Sequence, residues 1–211
     1  MLLDACQSVG QLPIDVTDLG VDLLSATDRK WLRGPRGTGV LVVRSDIADR
    51  LRPRLVDLHG GTWTTPTGYQ LRSDARVYEL WEHGVAERLG LLAAVRYALD
   101  LGIGDIAAAV GQRAEAIREG LSAVPGVRVH DLGTTRCGLV SFTVDGMDSE
   151  RVRDVLAARD IILTRSAATS TLLDMSRRGL DVLVRASPHY FVTPEQIDTF
   201  VRAVAKLRTR R

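Results

Sequence analysis

Two short apolar runs near the start of the chain are bounded by turn-forming residues, and they limit the folds open to it. Residues 20–26 are Gly-Val-Asp-Leu-Leu-Ser-Ala, and residues 39–44 are Gly-Val-Leu-Val-Val-Arg. Apolar runs of this length are typical of strands that are buried on both faces of a sheet. We therefore expect both segments to form buried strands, joined by a Gly- and Pro-rich connection.

The rest of the chain predicts an alternation of helices and strands. We predict helices at 45–52, 77–101, 105–124, 149–159 with Ser149 as its cap, and from Thr193 onward; strands at 127–132, 138–144, 161–166 and 182–187; and a loop-like linker at 53–72. Thr-Pro-Glu at 193–195 is a typical helix start. The second half therefore predicts a small α+β domain with helices on one face of a sheet.

Composition excludes several classes of protein. The chain has 211 residues, of which 45% are apolar, and this is enough for one large or two small domains with a hydrophobic core. Its net charge is +2. The charge is spread without long runs, and the Arg-Gly-Pro-Arg-Gly string at 33–37 lacks interleaved aromatic residues, so we do not expect nucleic-acid binding. We find no signal peptide and no apolar run long enough to span a membrane, so we do not expect membrane association.

The cysteines and histidines show no metal-binding spacing. Cys6 and Cys137 lie far apart in apolar or strand-like contexts, which fits a reduced cytoplasmic protein. The four histidines are scattered, so no zinc site is expected. The first residues, Met1 to Ala5, resemble the end of a buried strand, and we expect that something upstream is lacking.

Lysine is rare in this chain, and Lys30 lies in its most motif-like segment. Of the 28 basic residues only Lys30 and Lys206 are lysines. A Schiff base with a carbonyl compound requires a primary amine, which an arginine guanidinium cannot replace. Lys30 is therefore either a Schiff-base lysine or a remnant of surface charge, and the rarity of lysine alone leaves both open.

Several motifs occur in the order seen in one enzyme family. They are Asp-Ala-Cys-Gln at 4–7, Gly-Val-Asp at 20–22, Thr-Asp-Arg-Lys-Trp-Leu-Arg-Gly-Pro-Arg-Gly-Thr-Gly at 27–39, Tyr-Glu-Leu-Trp-Glu at 78–82, and Val-Arg-Ala-Ser-Pro-His-Tyr-Phe-Val-Thr at 184–193. In these motifs the chain resembles the C-terminal half of the class V aminotransferase family. This family uses pyridoxal 5'-phosphate (PLP) and includes cysteine desulfurases, isopenicillin-epimerase-like enzymes and carbon–sulfur lyases.

The resemblance implies an α/β fold. Residues 1–75 would form the C-terminal part of a PLP-binding large domain with a mostly parallel sheet, together with a linker. Residues 76–211 would form a long helix and a small α+β C-terminal domain. The family's shared active sites further imply a homodimer, or a partner that supplies the missing N-terminal half.

The resemblance also implies a role for five residues, and side-chain chemistry favours a role for a sixth. Lys30 would form the internal aldimine and then move protons at the substrate α-carbon. Asp4 would keep the pyridine nitrogen protonated, and Gln7 would donate a hydrogen bond to the ring hydroxylate. The remaining implied roles are phosphate binding by Thr27 and binding of the amino-acid substrate's carboxylate by Arg185. Arg29 departs from the family pattern, and its bidentate donors favour a phosphate-anchoring role.

Alternative interpretations of these residues remain open. Outside the family, Asp4 would be a strand-end cap, Thr27 a turn residue and Arg185 a surface charge. The family commonly has His where this chain has Arg29. It also commonly places Gly-Thr on the phosphate where this chain has Trp81 and Glu82, so we assign no phosphate role to that pair. We instead expect Tyr78 and Trp81 to be core or pocket-wall residues.

The motifs narrow the reaction without naming a substrate. Cysteine desulfurases of the family need a cysteine on a loop before the Arg185 strand, and residues 164–174 contain none. A cysteine-bound persulfide is therefore not expected. This leaves β-elimination from a cysteine conjugate, transamination or racemisation, with the carbon–sulfur lyase and epimerase-like branch favoured. The alternative is a noncatalytic or split-enzyme half that lacks the phosphate-binding and ring-stacking segments.

Overall fold

The chain forms two compact units. The computed structural model describes residues 1–48 and 50–207. The first unit is Met1–Gly104, and the second begins at Asp105. The division after residue 75 was predicted from the domains of the resembled family, which need not coincide with compact units. That domain boundary stays a prediction.

A three-stranded sheet organises the first unit. The elements are β1 (Leu2–Asp4), β2 (Leu23–Thr27), β3 (Gly39–Val43), α1 (Ser45–Ala48), β4 (Gly61–Thr65), β5 (Gly68–Leu71), a short 3-10 helix (Ala75–Tyr78) and α2 (Val85–Leu101). The order is β1-β2-β3, with β1 and β2 parallel and β3 antiparallel to β2. Ala5, Leu24 and Ala26 form a small buried core beside this sheet.

The third strand departs from the prediction of burial on both faces. Val40, Leu41 and Val42 are each between 38% and 43% exposed. An apolar run predicts burial, but a strand is buried only where other residues cover it. The described residues cover little of β3. The prediction was wrong for β3, whereas Leu24 and Ala26 of β2 are buried as expected.

The segment predicted as a loop-like linker contains a β-hairpin. Strands β4 and β5 pair antiparallel, with Trp63 opposite Tyr69. The polar residues Thr62, Thr64 and Thr65 hide the alternation that a half-buried strand normally shows, and the two aromatic side chains are 75% and 63% exposed. Cross-strand pairing therefore forms these strands without the burial signal on which the prediction relied.

A four-stranded antiparallel sheet organises the second unit. Its elements are α3 (Ile103–Ser122), which begins two residues before the boundary, β6 (Val127–Val129), β7 (Val140–Val144), α4 (Ser149–Ala157), β8 (Thr164–Ala167), a short 3-10 helix (Ala168–Ser170), α5 (Leu172–Arg177), β9 (Val182–Ala186) and α6 (Pro194–Ala205). The strand order is β6-β7-β9-β8. Residues of α3, α4 and α6 share one core with β7 and β9, in which Phe142 meets Phe200 edge to face at 6.0 Å. This confirms the α+β prediction.

Two helix starts test the capping predictions. Helix α4 is capped by Asp148, whose carboxylate accepts a 2.6 Å hydrogen bond from the Glu150 N–H, so the prediction of Ser149 was wrong by one residue. Helix α6 begins as predicted, with the Thr193 hydroxyl and the Gln196 side chain forming a reciprocal capping box. Within residues 1–48 and 50–207, no helix combines the length and apolar character required to cross a bilayer.

Candidate active site

The parallel pairing of β1 and β2 places several predicted site residues at one edge of the sheet. Asp4, the last residue of β1, lies opposite Ser25, and β2 continues to Thr27. Because parallel strands end at the same side, the loops that follow them begin close together. Lys30 lies in the loop after β2, and its charge acts on Asp4. The structure therefore brings Asp4, Thr27 and Lys30 to one edge.

The carboxylate of Asp4 is held in its charged form. Asp4 is exposed, and its Oδ1 accepts a 2.9 Å hydrogen bond from the Cys6 N–H. Hydrogen bonds from the Cys6 side chain and backbone lower the pKa of the Asp4 carboxyl, and the positive charge of Lys30 lowers it further. A fixed negative charge at this edge is what a protonated pyridine nitrogen requires.

Cys6 belongs to this edge, although the sequence analysis gave it no role. Its half-buried thiol is close enough to Asp4 for a hydrogen bond, and it lies within reach of the Thr27 backbone and the Lys30 charge. The neighbouring Asp4 carboxylate and, next, burial raise the pKa of the Cys6 thiol. Cys6 is therefore a protonated donor and not a nucleophilic thiolate. Its place inside the Asp-Ala-Cys-Gln motif is the signal that could have identified it.

The segment that carries Lys30 is held by its backbone. The Arg33 N–H donates to the Lys30 carbonyl at 3.0 Å, and the Gly34 N–H donates to the Asp28 carbonyl at 2.8 Å. Arg33 adopts a left-handed conformation, with φ 59°, and its guanidinium lies 5.2 Å from the centre of the Tyr97 ring. These contacts fix the turn that follows the lysine.

The remaining predicted residues of the first unit occupy different environments. Thr27 is half-buried and pairs with Gly39 of β3. Arg29 is exposed beside Lys30. Gln7 is half-buried, and its backbone carbonyl accepts a hydrogen bond from the Gln11 side-chain amide. The phosphate and ring-hydroxylate roles of these residues stay predictions.

Arg185 lies in the second unit, near the end of β9. It pairs with Ser141 of β7 on one side and Thr164 of β8 on the other. The side chain is half-buried, and its Nε is buried with no hydrogen-bond partner among the described residues. A buried N–H without a partner is rare, so this guanidinium has donor capacity left for an acceptor such as a carboxylate.

The aromatic residues after the linker differ from expectation. We predicted Tyr78 and Trp81 as core or pocket-wall residues. Trp81 is 57% exposed, so it is not a core residue of the described chain, and its backbone N–H donates to the Asp57 carboxylate at 2.7 Å. Tyr78 is half-buried and donates from its hydroxyl to the Leu51 carbonyl at 3.3 Å.

Comparisons with known proteins extend over nearly the whole chain. The sequence model of the family described as aminotransferase class V matches residues 1–200. A probable cysteine desulfurase of Methanothermobacter thermautotrophicus is 30% identical, over 93% of this chain and 50% of its own length. A probable hercynylcysteine sulfoxide lyase of Mycobacterium tuberculosis is 31% identical, over 97% of this chain and 48% of its own length. The chain thus spans about half the length of these curated relatives.

Solved structures support the same fold. The apo structure of a cysteine desulfurase from Thermococcus onnurineus NA1 matches with a TM-score of 0.91 and 27% identity, over 99% of this chain and 52% of that one. The cystine C-S lyase C-DES, in complex with its reaction product cysteine persulfide, matches with a TM-score of 0.80 and 27% identity, over 94% of this chain and 50% of that one. A C-DES variant has glycine covalently linked to its PLP cofactor.

These comparisons agree with the α/β architecture described above and indicate PLP as the cofactor. The charged Asp4 carboxylate at the sheet edge fits that cofactor. The chain belongs to the class V aminotransferase family.

Proposed function

We propose that this chain is part of a PLP-dependent enzyme that acts on the α-amino group of an amino acid, with carbon–sulfur lyase or aminotransferase-like chemistry. The observation that carries the proposal is the shared edge at which Asp4, ionised by its hydrogen bonds, lies within reach of the Lys30 charge. The names of the relatives favour a sulfur-containing amino acid such as cysteine or a cysteine conjugate.

The cofactor, when bound, supplies an electron sink for the bond that breaks at the substrate α-carbon. Lys30 attaches the cofactor through its amine and then moves the proton at the α-carbon. Asp4 holds a proton on the ring nitrogen, and Gln7 binds the ring hydroxyl group. Thr27 and the Arg29 guanidinium bind the phosphate, for which a planar fork of donors is well suited.

Arg185 orients the substrate by its α-carboxylate. A planar guanidinium can bind both carboxylate oxygens, and this fixes which α-bond is aligned for cleavage. The partnerless Nε supports this role, because a bound carboxylate would satisfy a donor that the described chain leaves unpaired.

The attachment at Lys30 is tested by trapping. The chain is incubated with PLP, reduced with borohydride and mapped by mass spectrometry. We expect the reduced cofactor mass on Lys30 in the wild type and in Lys206→Arg, and no such mass in Lys30→Arg. Since the chain has only two lysines, these variants separate specific attachment from general lysine modification. Equal labelling of both lysines would refute the proposal.

Sulfur release is proposed to occur without a cysteine-bound persulfide. Residues 164–174 contain no cysteine, and the raised pKa of the Cys6 thiol opposes nucleophilic attack by that residue. After incubation with cysteine, mass spectrometry of the unreduced protein should show no added sulfur on Cys6 or Cys137. A cysteine-bound persulfide would reject direct elimination while leaving the PLP proposal intact.

A noncatalytic or split-enzyme half is the second candidate. Helix α2 buries only Ala98, and β3 exposes Val40, Leu41 and Val42, so the first unit presents apolar faces. A second copy in a homodimer, or a polypeptide equivalent to the first half of a relative, would cover them. This candidate predicts no cofactor absorbance with added PLP until such a polypeptide is supplied. Absorbance from the chain alone would reject it.

A further inference from the structure

Asp28 is a buried carboxyl group at the start of the loop that carries Lys30, and the proposed chemistry does not use it. Its side chain is fully buried, with 0% exposure. Aspartate is almost never fully buried unless it is paired, because an ionised carboxylate loses its hydration. The environment of this carboxyl group therefore needs a physical explanation.

No described group satisfies the two carboxyl oxygens. Neither Oδ1 nor Oδ2 of Asp28 has a hydrogen-bond partner within residues 1–48 and 50–207. Burial raises the pKa of the Asp28 carboxyl, and the nearby Thr38 hydroxyl offsets only part of this effect. The charged residues of the surrounding loop, Arg29, Lys30, Arg33 and Arg36, are not among the groups that shift it.

The Thr38 hydroxyl already has a hydrogen-bond partner of its own. Its single proton is donated to the Pro35 carbonyl at 2.8 Å. Thr38 lowers the pKa of the Asp28 carboxyl less than burial raises it. Burial is therefore the dominant effect, and it favours the protonated acid over a carboxylate without a partner.

The Asp28 backbone ties the ends of the Lys30 loop together. Its carbonyl accepts from the Gly34 N–H at 2.8 Å, and its N–H points to the Thr38 carbonyl at 3.4 Å. A Cβ atom at Gly34 would lie 3.0 Å from the Asp28 Cβ, so the loop packs tightly against this residue. Both Asp28 carboxyl oxygens are shielded from solvent, so a charge on them gains water only if the surrounding residues move.

We propose that Asp28 is a positioning residue that is held as a neutral carboxylic acid and fixes the loop that carries Lys30, and that its ionisation loosens this loop. The role of Lys30 rests on the proposed function. The neutral acid and the fixed loop stand on the contacts of Asp28 alone, so they are measured without cofactor.

The first experiment compares urea unfolding of the 211-residue wild type with that of Asp28→Asn between pH 4 and 8. The folded state keeps the proton to higher pH, whereas the unfolded state releases it near the ordinary aspartate value of 3.8. Stability from this proton is therefore lost as pH rises. We expect the wild-type unfolding constant to rise relative to that of Asp28→Asn by up to about tenfold per pH unit between that value and the raised pKa of the folded state, and to level off above it. Exposed Asp100→Asn is the control and should run parallel to the wild type.

Parallel pH profiles for the wild type and Asp28→Asn would overturn the claim that Asp28 is a neutral acid in the folded chain.

The second experiment is hydrogen exchange of the Gly34 amide at matched pH. We expect wild-type protection to fall with rising pH relative to that in Asp28→Asn, whose amide mimics the neutral acid, and we expect low protection in Asp28→Ala. Two results would overturn the positioning role. One is full protection of the Gly34 amide in a folded Asp28→Ala chain. The other is an equal loss of Gly34 protection in Asp28→Asn and Asp28→Ala. If both experiments succeed while cofactor trapping on Lys30 fails, the proposed function fails and this inference stands.

Discussion

At Asp4, two hydrogen bonds from one neighbour and the charge of a lysine act on a single carboxylate. The bonds come from Cys6, and each lowers the pKa of Asp4, as does the weaker effect of Lys30. The carboxylate therefore stays charged down to lower pH than an ordinary aspartate, and its charge is lost only as pH falls through that lowered value.

Asp4→Asn should remove the charge that favours a protonated ring nitrogen. We expect kcat/KM for a cysteine conjugate to fall by about 10²–10³-fold, the usual effect of removing one fixed electrostatic contact in a catalytic site. Asp15→Asn is a matched control, because Asp15 is also an exposed aspartate whose carboxylate accepts a backbone N–H bond, from Thr17 at 2.7 Å. Equal activity in the two variants would contradict the role of Asp4.

The sequence predicts candidate residues for this edge, but it does not predict their contacts. Lys30 stands out because lysine is rare, and Asp4 stands out because it opens the Asp-Ala-Cys-Gln motif upstream of that lysine. The environments of the Cys6 thiol and of the Asp28 carboxyl, which has no hydrogen-bond partner among the described residues, are known only once strand pairing and burial are known. Residue type marks candidates for chemistry, whereas their protonation depends on the fold.

On the scale of single elements, Gly10 supports the Lys30 loop from a turn after β1. It has φ 92°, and a Cβ atom there would lie 2.6 Å from the Leu32 nitrogen and 2.8 Å from the Trp31 carbonyl carbon. Both contacts are with backbone, which cannot rotate away. The absence of a side chain at Gly10 is what lets the turn approach the segment just after Lys30.

Gly10→Ala should therefore destabilise the chain more than an ordinary left-handed glycine does. We expect a loss of about 1–3 kcal/mol from overpacking, added to about 1–2 kcal/mol for the left-handed conformation. Gly20→Ala is the control, because Gly20 also has positive φ, 60°, but its Cβ position is open. Urea unfolding measures both, and equal losses would show that close approach adds nothing.

The elements that were predicted well carry their own local signals. Helix α6 opens with a capping box, and the Thr-Pro-Glu sequence at 193–195 predicts a helix start at this place. Helix α5 and the β4–β5 hairpin were missed, because α5 has only six residues, β4 is rich in threonine and mostly exposed, and β5 has only four residues. Short elements that are stabilised by pairing rather than burial leave little periodicity in the sequence.

On the scale of the whole molecule, the two units differ in how much apolar surface they bury. The large core cluster lies entirely in the second unit, between Ala114 and Leu207. The cluster beside β1 and β2 contains three buried residues. Because burial of apolar surface is the main stabilising term, the second unit should be the more stable of the two.

Hydrogen exchange at increasing urea concentration should show this difference. We expect amides of β7, β9 and α6 to stay protected at urea concentrations where those of β1–β3 already exchange. Adding a polypeptide equivalent to the first half of a relative should raise the protection of β1–β3 alone, if it covers β3 and α2. A single transition shared by all amides of the chain alone would contradict this expectation.

The central place of β9 in its sheet has a consequence for altering substrate choice. Directly paired residues in an antiparallel sheet point to the same face, so Ser141 and Thr164 flank Arg185 on both sides. Enlarging either neighbour would push the guanidinium outward, and shrinking Thr164 would let it recede. Under the proposed carboxylate-binding role of Arg185, the length of the amino acid that fits would be tuned by changing Ser141 and Thr164, with the arginine itself kept.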